Sequence, residues 1–228
     1  MNKKNFSVKD YIINVLNFMA HGLFASLIIG LILKQIGEKT GLTSLVKYGS
    51  IAQFMMGPAI GTAVAYGVKA PALSIFSSII TGSLGAQTLL LTSSGTYTVQ
   101  IGEPVGALFA GLIGAELGKL VNGKTKLNII VVPAVTIISG GLTATFISPF
   151  VSTLLAALGQ MINYATELHP IPMGILVSTI MGMILTLPIS SAAIAISLKL
   201  SGLAAGAATI GCCAQMIGFA VASFRENR

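Results

Sequence analysis

Charge is what this chain of 228 residues most lacks. Charged residues make up 8% of it, only six of them acidic, and there is no tryptophan. A soluble domain carries about 25% charged residues. With 54% hydrophobic residues and a mean hydropathy of +0.90, the chain cannot clothe a globule in polar surface. HExxH and CxxC metal motifs and the GxSxG nucleophile elbow are all missing. That excludes the common soluble hydrolases. The two cysteines, Cys212 and Cys213, are adjacent. Helical neighbours point about 100° apart, so they suit neither a disulfide nor a metal site and read as packing. No cofactor or metal is expected.

Apolar runs near twenty residues recur along the chain, the length that crosses a bilayer core of about 30 Å. The fold class is therefore all-α, a polytopic helical membrane protein. The runs cover about 12–36, 46–68, 70–92 and 103–121, a stretch of some forty residues from Leu127 to about Glu167, then about 172–198 and 201–224. The forty-residue stretch is too long for one crossing, and Gly140, Gly141 and Pro149 are its natural break points. Counting it twice gives about eight spans with both termini inside. The first run is too long for a cleaved signal, and no small-residue cleavage site follows it. The net charge of +7 does not indicate nucleic-acid binding, because the lysines sit singly or in threes between apolar runs. Lys119, Lys124 and Lys126 in "KLVNGKTK" mark an inside loop, whereas "SSGTYTVQIG" carries no lysine or arginine and reads as outside. Lys34, Lys39 and Lys47 fall outside in this scheme, against the charge rule.

The chain also repeats itself. "PAIGTAVAYGVKAPAL" starts at Pro58 and "PISSAAIAISLKLSGL" at Pro188, and one offset of 130 residues relates both Pro58 to Pro188 and Lys69 to Lys199. Copy one is about 12–121 and copy two about 142–228, within a single membrane-embedded domain. On the span count the copies cross in opposite directions, and inverted repeats with proline-interrupted helices are a transporter pattern. At this offset Arg228 corresponds to Thr98, so the expectation is an incomplete duplication or a fragment of a longer protein.

Few residues in the apolar runs can carry chemistry. Glu103 and Glu116 lie in "QIGEPVGALFAGLIGAELGKL", thirteen residues apart, which puts them about 140° apart on a helix. Glu116 precedes Lys119 by three residues and reads as a boundary ion pair. Glu103 stands before Pro104, a residue suited to the first helical turn. It is either a plain N-cap or a substrate-hydroxyl acceptor at a broken helix. His21 is mid-span in "FMAHGLFA", either functional or hydrogen-bonded to a neighbouring helix. His169, before Pro170, reads as a turn residue. Lys69 and Lys199 either snorkel to the interfaces or act in gating. Gly106, Ala110, Gly114 and Gly118, four apart, let another helix approach closely.

Two stretches, Gly102 to Pro133 and Pro170 to Phe219, resemble the bacterial phosphotransferase-system enzyme IIC group that includes the perfringolysin regulator-like proteins. The likeness runs the length of the chain and is a membrane-family pattern rather than a catalytic signature. It implies a multi-pass permease of the bacterial plasma membrane that moves a sugar while soluble IIA and IIB subunits phosphorylate it. It implies members longer than this chain, and no phosphoryl-carrying residue here. Glu103 is similar to the glutamate of a glutamate–proline motif that contacts sugar in glucose-type IIC proteins. With His21, Pro58 and Pro188 it makes the substrate-binding set. The partners are the sugar, the IIA and IIB subunits, the lipid bilayer and, as an open option, a second copy in a homodimer. Two other readings stand beside this one: a membrane-embedded regulator that senses without transporting, and an ion-coupled carrier using His21 and Glu103.

Overall fold

The computed structural model describes residues 8–91, 95–184, 195 and 198–226. Pro188 lies outside the described residues. The chain divides into two compact units, Met1–Ser152 and Thr153–Arg228.

In the first unit, α1 (Val8–Leu23) runs through a π-helical turn, Phe24–Ile28, into α2 (Ile29–Thr40). Gly41, in the left-handed region at φ 75°, ends α2. The chain returns as α3 (Thr43–Phe54), breaks at Met55, and continues as α4 (Met56–Gly67). Glycines set the register of this long antiparallel hairpin. A Cβ on Gly22 would strike Ala59 and Ile60, one on Gly30 would strike Gly49 and Gln53, and one on Gly37 would strike Val46. Then come α5 (Ala72–Ala86), a two-stranded antiparallel hairpin of β1 (Leu89–Leu91) and β2 (Tyr97–Val99), and α6 (Pro104–Val121). The lysine-free polar loop is thus a small β-hairpin on an otherwise helical fold. The helices α4, α5 and α6 meet at bare backbone. Gly61 abuts Ser78 and Gly82, Gly85 abuts Gly106, and Gly111 abuts Gly61. Without a hydrophobic drive between helices in lipid, such close van der Waals contact is what holds them together. Hydroxyls fill the seam, where Ser74, Ser78, Thr81 and Thr136 are fully buried. Ser74 and Thr136 share a hydrogen bond of 3.0 Å between α5 and the next helix, and Ser78 donates to the carbonyl one turn back.

That next helix, α7 (Asn128–Leu168), corrects the sequence reading. It is one continuous 41-residue helix, with no break at Gly140, Gly141 or Pro149. Gly140 is not a break point. It lies against Thr81 and the Ala110 carbonyl, so it serves close packing. Pro133 and Pro149 are accommodated inside the helix. Ser139, Thr143 and Thr145 along the same helix each donate to a carbonyl four residues back. The run read as one span from 46 to 68 is instead two short helices. Among the described residues four helical stretches are long and apolar enough to cross a membrane: Val8–Thr40, Pro104–Val121, Asn128–Ile147 and Gly202–Ala222. Ala72–Ala86 and Pro170–Ile184 are apolar but shorter. The structure therefore supports a polytopic all-α membrane protein and does not support the count of about eight spans.

In the second unit, α8 (Pro170–Ile184) packs on α9 (Gly202–Glu226). Val177, Met181 and Ala208 form its core, with Ile162, Leu200 and Cys212 against them. Cys212 is thus a packing residue, as expected, and Cys213 is exposed.

The 130-residue offset relates backbone as well as sequence. Lys69 and Lys199 both adopt left-handed φ, 57° and 50°. Beyond them the Ala70 amide bonds the Ala65 carbonyl at 3.0 Å, and the Leu200 amide bonds the Ala195 carbonyl at 3.1 Å. Both are the six-to-one bond of a helix C-terminal motif that glycine usually occupies. The following helices start at Ala72 and Gly202, again 130 apart. The copies then diverge: α5 stops at Gln87, whereas α9 runs on unbroken past the matching Ile217.

Candidate functional site

The described carboxylates of α6 and its cap sit at opposite ends of that helix, in different chemistry. Gln87 closes α5 in the left-handed region, and the β-hairpin leads back so that the Gln100 amide bonds the Thr88 carbonyl at 2.9 Å. Gly102 follows at φ 79°, where a Cβ would run into the Ala86 carbonyl, so only glycine fits. The Glu103 amide then bonds that carbonyl at 2.9 Å. Held this way, Glu103 is an extended N-cap (φ −117°, ψ 122°) with Pro104 at the first helical position. Its Oε1 accepts from the Val105 amide at 3.1 Å and its Oε2 from the Gly106 amide at 2.7 Å. The side chain is 7% exposed. Two amides at the positive end of α6 thus hold the carboxylate in place.

A residue that sequence reasoning missed lies beside it. Thr88 is 2% exposed and its Oγ1 has no hydrogen-bond partner. It points toward Gly57 in the first turn of α4, 2.8 Å from where a Cβ would be. The start of α4, the end of α5 and the start of α6 thus converge on one spot. The only sequence signal was a polar Gln87–Thr88 pair closing an apolar run.

At the far end of α6, Glu116 Oε1 accepts from Lys119 Nζ at 2.9 Å and from the Tyr11 hydroxyl at 2.6 Å. Lys119 also donates to the Val68 carbonyl at 2.8 Å. The i,i+3 pair read from sequence is present, and it additionally ties together the start of α1 and the end of α4. Tyr11 had no signal in the sequence.

His21 and Pro58 come together, away from Glu103. They line an open apolar groove of about 630 Å³ between α1, α4 and α5, with Phe18, Met55, Thr62 and Tyr66. Phe18 contacts His21 and Tyr66 edge-on, with ring centroids 5.6 and 5.8 Å apart. Lys69 and Lys199 are exposed on their left-handed turns. In the second unit Asn163 clasps such a turn, donating to the Lys199 carbonyl at 3.2 Å and accepting from the Ser201 amide at 3.1 Å. Among the described residues no cluster of three His, Cys, Asp or Glu could hold a metal.

The long apolar helices and the broken, glycine-packed ones between them define a helical membrane protein. The family model described as "Phosphotransferase system, EIIC" matches residues 13–228, and the chain belongs to that family. Neither the curated proteins nor the solved structures give a match. Membership makes this a membrane component of the phosphotransferase system. It implies work alongside soluble IIA and IIB components.

Proposed function

We propose that this chain is the permease subunit of a phosphoenolpyruvate-dependent sugar phosphotransferase system in the bacterial plasma membrane, binding a sugar and carrying it across. The family match over residues 13–228 carries this reading. Glu103 accepts sugar hydroxyls, because its carboxylate is fixed by two amides at the start of α6. Charge-assisted bonds of this kind are worth about 1.5–3 kcal/mol each. His21 and Pro58 line the path of the sugar on the groove side, with Pro188 as the counterpart of Pro58 in copy two. The turns at Lys69 and Lys199 open and close the two ends. IIA and IIB supply the phosphoryl group, and no residue of this chain carries it. A homodimer is the assembly this reading favours.

A thermal-shift screen of the purified protein against sugars tests the proposal. One sugar should raise apparent stability, by about 2.7 kcal/mol at a hundredfold excess over its Kd. A flat response across hexoses, pentoses and disaccharides, from protein that unfolds cooperatively, would favour a regulator that senses something else.

A further inference from the structure

The hairpin of the first unit carries two irregularities, and they lie at the same level. Gly22 meets Ala59 and Ile60, and Gly30 meets Gly49 and Gln53. The π-helical turn Phe24–Ile28 is therefore opposite the break at Met55. The α3–α4 junction has backbone angles outside the helical well (φ −84°, ψ 10°) and no side-chain cap. Ser26, buried within the π-helical turn, donates its hydroxyl to the Gly22 carbonyl at 2.7 Å, a local bond that bends helices. Both strands of the hairpin thus have a soft point at one height, and π-turns of this sort often sit where a helix must move.

On the distal side of this level, α2 and α3 are welded to each other. Gly30 and Gly49 touch backbone to backbone, and Gly37 sits on Val46. Neither helix has substantial packing against α5 or α6. The proximal side is the opposite, with α1 on α4 and α4 on α5 and α6. A rigid pair of helices is joined to a rigid bundle through two soft points.

The joint also contains an unmet polar group. Gln53, in the last turn of α3, is 7% exposed, and its Nε2 has no partner. A buried amide donor without an acceptor is costly enough to bias an equilibrium between two arrangements.

We infer that α2 and α3 form an arm that pivots about Phe24–Ile28 and Met55, and that Gln53 finds its acceptor in the second position of the arm. The arm moves as one body, the bundle stays fixed, and the Gln53 amide favours the position not seen here. This goes beyond sugar binding and needs no ligand.

Pulsed dipolar spectroscopy on spin-labelled full-length protein in lipid tests it, with Cys212 and Cys213 replaced by alanine. Labels at the exposed Lys39 and Lys124 span the joint, and labels at Lys39 and Lys47 lie within the arm. The first pair should show two distance populations, the second a single narrow one. Gln53→Leu removes the unmet donor, so it should shift the first pair's population ratio by about tenfold toward the distance of the arm position described here. It should leave the second pair unchanged. Gln53→Met carries the same expectation if the leucine variant does not fold. A single narrow population for Lys39–Lys124 in the wild-type protein overturns the inference, as does a broad one for Lys39–Lys47. An unchanged ratio in the variants overturns the role of Gln53.

Discussion

Both oxygens of Glu103 already face backbone amides, so altering this residue acts on folding and on ligand binding at once. The two effects separate by substitution. Glu103→Ala deletes the cap and should lower stability by about 1–2 kcal/mol. Glu103→Gln keeps one acceptor and loses the charge, so its stability should lie between alanine and wild type. Its sugar affinity should nevertheless fall at least tenfold, about 1.4 kcal/mol, if hydroxyls read the carboxylate. Thermal unfolding with and without sugar measures both. A glutamine variant that binds normally but melts early would reduce Glu103 to a helix cap. Glu116→Gln is the control. That carboxylate and Lys119 are about a third exposed, where such pairs contribute about 0–1 kcal/mol. Sugar affinity should not change.

Glycine decides what each helix can do, and here the sequence could be read in two ways. At Gly140 the residue types suggested a chain break, yet the structure uses the missing side chain to admit Thr81. Sequence alone does not say whether a glycine is bare to bend or bare to be touched, since that depends on a neighbour far along the chain. Met55 is the opposite case. Gly57 and Pro58 follow it, and a proline can neither bond nor pack against the carbonyl four residues back, which weakens the helix just there. What was legible were features set by near neighbours. Pro104 after Glu103 announced a cap, and Glu116 three residues before Lys119 announced a pair. The contact reading of glycine has a direct test. Gly82→Ala puts a methyl group onto the Gly57 carbonyl, and overpacking of this kind should cost about 1–3 kcal/mol. Gly218→Ala meets nothing within 4 Å and should be neutral or slightly stabilising. Unfolding of each variant in mixed detergent micelles compares them. Equal stabilities would mean that the α4–α5 contact does not hold the bundle.

At the scale of the whole molecule, the repeat is the feature with the most consequence for transport. Composition made a match of alanines cheap, but the backbone repeats something rarer, a lysine in the left-handed region closing a helix, 130 residues apart. Left-handed lysine is uncommon, so two at one offset support common descent of the segments. The inverted arrangement remains a proposal, and these two turns are where to test it. Tyr11, Val68 and Lys119 meet at one end of the first unit, while Gly57, Ala86 and Glu103 meet at the other. Lys69 therefore lies at the same end as Lys119 and the 122–127 loop, which the charge rule predicts to be cytoplasmic. If copy two crosses the opposite way, Lys199 emerges outside. In a background with Cys212 and Cys213 replaced by alanine, Lys199→Cys should react with a membrane-impermeant maleimide in intact cells. Lys69→Cys should react only after permeabilisation, behaving like Lys124→Cys and unlike Thr96→Cys. Both lysines are exposed, so failure to label after permeabilisation would indicate misfolding rather than topology. Labelling of positions 69 and 199 from the same side would make the repeat a parallel one and overturn the inverted arrangement.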